Sequence, residues 1–195
     1  MIRAWFWDNW WPGSILATGL YVSDYACTLL GARAYRTRAS ATLVFEGSYE
    51  LNPVFQRDID AAKRLSPRFL LALVSVNVLL ALMWWLTHQP PQRPTAYELA
   101  LGAFVLLELA IHMRHFRNMY LFNTAFGPGG IQGSVLYPRS VSLRLSAFDA
   151  LSFSLLYLVL FVATGSSFIL GGVASCLVLV LKHRYLVGNL RRSAG

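Results

Sequence analysis

Hydrophobic residues run along this chain in blocks of about twenty, too long for strands and too uniform for the one-sided stripe of a surface helix. A helix needs ~20 mostly apolar residues to cross ~30 Å of hydrocarbon. Residues 13–33 form the first block, 69–87 the second and 96–118 the third, whose second half carries several charges. Gln89-Pro90-Pro91-Gln92-Arg93-Pro94 and Gly127-Pro128-Gly129-Gly130 punctuate the chain after the second and third blocks, and both are helix breakers. Residues 147–181 are apolar almost throughout; as one helix they would reach ~52 Å at ~1.5 Å per residue. Thr164-Gly165-Ser166-Ser167 at the middle supplies a turn, which predicts a helical hairpin with spans at 144–163 and 168–187. The pattern therefore predicts an all-α fold, a polytopic bundle of about five transmembrane helices in one membrane domain covering residues 1–195.

Composition agrees. Hydrophobic residues make up 56% and charged residues only 13%, about half the charge that a globular protein uses to cover itself (~25%). The net charge of +8 would point to nucleic acid in a soluble protein. Here topology explains it and no nucleic-acid partner is expected, because cytoplasmic membrane flanks collect Lys and Arg. With the N-terminus outside and the C-terminus in the cytoplasm, 15 basic residues fall inside and only Arg3 and Arg93 outside. A four-span reading would put Lys182, Arg184, Arg191 and Arg192 on the wrong side. The six tryptophans, Trp5, Trp7, Trp10, Trp11, Trp84 and Trp85, all fall at the outer interface, where indole rings prefer to sit. The expected location is the cytoplasmic (inner) membrane, with the lipid bilayer as the first partner. Residues 1–11 lack a basic stretch followed by an apolar core and cleavage site, so the first span is expected to serve as insertion signal. Cys27 and Cys176 lie in apolar segments and read as small buried hydrophobes.

The one sizeable polar region is residues 35–67. Asn52-Pro53 has the character of a helix start. Val54, Phe55, Ile59, Ala62 and Leu65 then form an apolar stripe opposite Arg57, Asp58, Asp60, Lys63 and Arg64, which predicts an amphipathic helix over 53–66 on the inner membrane surface.

Ionisable residues within the spans carry the chemistry, since each costs at least ~2.5–3.5 kcal/mol near mid-membrane. Asp24 sits near the centre of the first span, Glu108 near the centre of the third, His112 a turn nearer the cytoplasm, and Asp149 at a similar depth in the fourth. Glu108, His112 and His115 share one helix face; so do Tyr21, Asp24, Tyr25 and Thr28, and so do Ser142, Ser146, Asp149 and Ser152. Lipid offers such stripes no partners, so they turn inward, and Asn77 of the second span can join them. Carboxylate and imidazole at this spacing suit one divalent ion, zinc, manganese or iron. Glu108, His112 and Asp149 are the expected ligands, with Asp24, Glu50 and Asp149 as catalytic groups. That implies a membrane enzyme acting on a lipid-soluble or membrane-bound substrate from the cytoplasmic side.

Rival readings use the same residues. They suit proton relay or cation transport, or helix glue in an accessory subunit of a homo-oligomer or larger membrane complex. Glu108 and Asp149 can instead pair with Arg114, Arg117 or Arg144. His115, Arg114 and Arg117 fit residues that snorkel to headgroups, and His88 and His183, at helix ends, read as solvated. Arg114, Arg117, Arg139 and Arg144 are also placed to gather round an anionic lipid headgroup. The glycine-rich stretch 127–134 lacks the Lys-Ser/Thr of a phosphate loop and reads as a connector.

Asp24-x-x-x-Thr28, followed after a basic loop by Glu50-Leu51-Asn52-Pro53, resembles a family of small prokaryotic multi-pass membrane proteins of unknown function. Their signature is an intramembrane Asp, a nearby Thr and a Glu-x-Asn-Pro before the second span. The resemblance covers residues 23–80. It implies that Asp24, Thr28, Glu50 and Asn52 matter together, with Glu50 brought under the bundle toward His112 and Asp149. This chain departs from the family in a longer stretch between Thr28 and Glu50, which carries Glu46.

Overall fold

A computed structural model describes residues 7–89, 95–125 and 129–193; Arg3, Trp5, Arg93 and the breaker residues 90–94 and 126–128 lie outside the described residues. Five helices are long and apolar enough to cross a membrane: α1 (Trp10–Ala34), α3 (Pro67–His88), α4 (Thr95–Thr124), α5 (Arg139–Thr164) and α6 (Ser167–Ser193). A π-helical stretch (Tyr35–Ala39) continues α1, and a short α2 (Gln56–Asp60) and two three-residue strands, β1 (Leu43–Phe45) and β2 (Val135–Tyr137), follow among the described residues. The expected all-α membrane bundle of five spans is the architecture observed.

Local chemistry sets the helix ends. Ser66 caps α3 by accepting from the Phe69 N–H at 3.3 Å, with Pro67 in the first turn, the arrangement proline tolerates best. Gly165 closes α5 in the left-handed region (φ 64°), its N–H donating to Phe161 O at 2.7 Å. Two residues later α6 begins, so the hairpin turns where the Thr-Gly-Ser-Ser sequence predicted it. α4 runs on to Thr124, past the expected 118, because no residue between them interrupts a helix.

α4 is central, with α1 and α3 against one side and α6 against the other; α6 also packs along α5. In lipid such contacts rest on close packing, which small residues allow. At Gly102 of α4 an added Cβ would strike the Phe168 carbonyl, and at Gly171 of α6 the Leu99 carbonyl. The two backbones therefore meet at glycine. Toward the Trp end, Ala17, Leu80, Tyr97, Leu101 and Val105 form a core with Trp7 and Trp84 packed on it. The Trp84 indole N–H donates to Trp7 O at 3.1 Å. Large apolar side chains such as Leu71, Val74, Val159 and Val162 face outward, as lipid contact requires.

At the arginine-rich end, β1 and β2 pair in parallel, Leu43 opposite Val135 and Phe45 opposite Tyr137. The Glu46 carboxylate accepts from the Arg139 N–H at 3.0 Å, a negative charge at the start of α5. The amphipathic helix expected over 53–66 is not formed. Asn52 instead organises a turn, its carbonyl accepting from the Phe55 N–H at 3.1 Å, and α2 spans only five residues. Asp58 explains the difference: it is buried rather than on a solvated face, and it accepts from Lys63 Nζ at 2.9 Å and Ser66 Oγ at 2.5 Å. Those bonds hold its carboxyl below the usual carboxylate range, the Ser66 bond foremost. Ala62, at φ 51°, turns the chain back. Ile59 is buried under α1 and α3, while Val54 and Leu65 are exposed.

Candidate metal centre

The polar stripes of α1 and α4 face each other. Asp24 Oδ1 lies 2.9 Å from His115 Nε2. Thr28 Oγ1 donates back to Asp24 O at 3.0 Å and lies 3.3 Å from the same His115 nitrogen. His112 Nδ1 lies 2.7 Å from Glu108 O; a carbonyl only accepts, so Nδ1 carries the proton and Nε2 faces α1. There it meets Ser23 Oγ at 2.7 Å.

One ligand atom from each of Asp24, Glu108 and His112 lies within 4.8 Å of the other two. Several details fit a cation. Glu108 and His112 are buried. Glu108 Oε2 has no hydrogen-bond partner, and Asp24 Oδ1 has none of hydrogen-bond geometry despite its contact with His115. Unpaired buried oxygens are costly. A ring N–H held by a backbone carbonyl is also how metal-bound histidines are usually oriented. Ser23 Oγ lies 2.9 Å from Leu20 O as well, so it keeps an acceptor when His112 Nε2 turns to another partner.

A cavity of about 150 Å³ adjoins this group, lined in part by Asp24, Glu50, Glu108, Arg114, His115 and His183. Thr28 and Asn52 line it too, so the four residues singled out by the sequence signature share one cavity. Glu50 reaches it from the loop: its Oε1 accepts from the Asn52 N–H at 2.6 Å, and its carbonyl accepts from Gln56 Nε2 at 2.8 Å. Burial holds the Glu50 carboxyl above the usual carboxylate range, against the Asn52 N–H and the Arg114 charge, which pull it down.

Asp149 is placed elsewhere. Its Oδ1 accepts from the Arg117 guanidinium at 2.7 Å, and it lines a second pocket of about 400 Å³ instead of joining the cluster. It points away from the cluster it was expected to join. Arg117 is nine residues from Glu108, about half a turn round α4, and α6 stands against both α4 and α5.

Two histidines are more buried than their positions suggested. His115, expected to snorkel, is 4% exposed, and His183, expected in solvent, is also 4% exposed; the Nδ1 of each lacks a partner. The signal for His183 was present: Val173, Cys176, Val180, His183 and Val187 follow a buried stripe at helical spacing. His88 does lie at its helix end, its ring stacked on Trp84. Arg114, half-buried, donates to Ser146 Oγ at 2.6 Å.

No protein-family model matches this chain, and no curated protein or solved structure shows significant similarity to it.

Proposed function

We propose that the protein is a divalent-metal-dependent enzyme of the cytoplasmic membrane, acting on a lipid-soluble or membrane-bound substrate. The observation that carries this reading is the convergence of Asp24, Glu108 and His112 within 4.8 Å. The excess of basic residues at the end where Glu50 and Arg114 lie supports an N-out, C-in orientation with that end in the cytoplasm. Mixed carboxylate and imidazole donors suit zinc, manganese or iron. A bound ion would polarise a carbonyl or phosphoryl oxygen and acidify a bound water.

The chain's own groups have separable tasks. Asp24, Glu108 and His112 hold the ion, and the Glu108 carbonyl fixes the His112 ring. His115, 2.9 Å from the Asp24 carboxylate, positions it. Glu50, kept above the ordinary carboxylate range by burial, sits at the loop side of the cavity as a proton donor or acceptor. An enzyme is favoured over a transporter because the apolar core of Ala17, Leu80, Tyr97, Leu101 and Val105 packs the Trp end, and a transport path would have to cross it.

The test is elemental analysis of the detergent-purified protein beside the Glu108→Gln/His112→Ala double variant. Near-stoichiometric zinc, manganese or iron that disappears in the variant is the expected result. Reconstituted wild type, and not the variant, should then convert a component of a total lipid extract. Absence of metal after attempted reloading of the wild type would overturn the reading.

A further inference from the structure

The pocket of about 400 Å³ is built unlike the cavity beside Asp24. It joins polar residues, Arg114, Arg117 and Ser146, to apolar ones, Leu121, Val135 and Leu145. Its volume falls in the range of small-molecule sites, ~300–1,000 Å³. Glu50, Leu51, Arg114 and His115 line both spaces, so the two share a wall. The buried His115 Nδ1 on their shared wall has no partner.

Arg114 is the unusual member. It is half-buried, its hydrogen bond goes to the neutral Ser146 hydroxyl, and among the described residues no carboxylate lies within ion-pairing distance of it. A partly desolvated guanidinium without an anion is costly, and its planar fork fits phosphate well. Arg114, Ser146 and Asp149 also head a narrow seam between α4 and α5, lined farther along by Leu107, Ala110 and Phe153. At about 10 Å³ the seam is a shallow crease between the helices rather than an enclosed channel.

We propose that this pocket binds the phosphate of an anionic membrane lipid, with Arg114 and Arg117 on the phosphate and the acyl chain along the α4–α5 seam. Arg117 is then shared between the phosphate and Asp149. A free phosphate ion would use the two arginines and leave the apolar wall and the seam bare, which is why a lipid is the better occupant. The inference rests on the metal-site reading for its place in a reaction: Glu50, Arg114 and His115 line both the lipid pocket and the cavity beside Asp24, which would bring a phospholipid next to that cavity and make it the substrate class.

Binding is measured on the purified protein in an uncharged detergent with a metal chelator present, titrating dioctanoyl phosphatidic acid and following thermal stabilisation. Inorganic phosphate and dioctanoylglycerol serve as comparison ligands. The wild type is expected to bind the phosphatidic acid at least about tenfold more tightly than either. Arg114→Gln/Arg117→Gln should weaken it by about tenfold or more, and Arg144→Gln, a charge change outside the pocket, should not. Should the double variant fail to fold, Leu145→Trp keeps both arginines and fills the apolar side. It should weaken the lipid about tenfold while leaving inorganic phosphate unaffected. Equal affinity for inorganic phosphate, or lipid affinity unchanged in the folded pocket variants, overturns the proposal. Because chelator is present, a protein that holds no metal but binds the lipid refutes the metal reading alone, and one that holds metal but does not bind the lipid refutes this inference alone.

Discussion

Asp24 Oδ1 sits 2.9 Å from His115 Nε2, a contact between α1 and α4 at the edge of the cavity. Thr28 and Asp24 come from one helix face, and His115, His112 and Glu108 from another. The site therefore exists only where those two faces meet.

The contact gives His115 a positioning role. If Asp24 holds a metal ion, His115→Ala should lower metal affinity by about 10–100-fold, the usual cost of removing an outer partner, without abolishing insertion. Asp24→Asn and Glu108→Gln should cost more. Competition with a metal-buffering chelator measures all three, and unchanged affinity in His115→Ala would remove the residue from the site.

Packing of α4 on α6 makes a prediction about stability. Gly102→Leu places side-chain atoms where the Phe168 backbone lies, and overpacking of this kind should cost about 3 kcal/mol or more. Gly19 has nothing within 4 Å of an added Cβ, so Gly19→Ala should be neutral or stabilising by up to ~1 kcal/mol from helix propensity. Thermal unfolding in detergent checks both. A tolerated Gly102→Leu would mean that the helices do not meet there.

Much of the architecture was legible in the chain. Length, apolarity and the Thr164–Ser167 turn are local signals, and they located all five spans. Membership of a polar helix face was equally legible for Asp24, Glu108 and His112, because periodicity acts within one helix. The direction in which Asp149 points was not, since that depends on α6 standing between neighbours far apart in sequence. The parallel pairing of residues 43–45 with 135–137 left no signal in such short segments. The 53–66 region misled because Asp58 looks like a solvated residue until Lys63 and Ser66 are seen to enclose it.

Glu50 supplies a pH dependence. Burial raises its carboxyl above the ordinary range, so between ~4.3, the ordinary glutamate value, and the raised folded value the folded state binds more protons than the unfolded one. Stability must then fall as pH rises through that window. Glu50→Gln keeps an acceptor for the Asn52 N–H and carries no charge, so it should flatten the decline. Hydrogen exchange over residues 48–56 across pH is the measurement. The same slope in wild type and Glu50→Gln would show that another group is responsible.

Asp149 distinguishes a metal-ligand set drawn from α4 and α5 from one drawn from α1 and α4. Its carboxylate is taken up by Arg117 at 2.7 Å. Asp149→Asn should therefore leave metal content unchanged, because the Asp24, Glu108 and His112 donors are intact. It also releases Arg117 from a competing carboxylate, so phosphatidic acid should bind more tightly to this variant than to the wild type. Loss of metal from a folded Asp149→Asn protein would instead require α5 to swing its carboxylate across α4 into the cluster, and Asp24, Glu108 and His112 would no longer suffice as the ligand set.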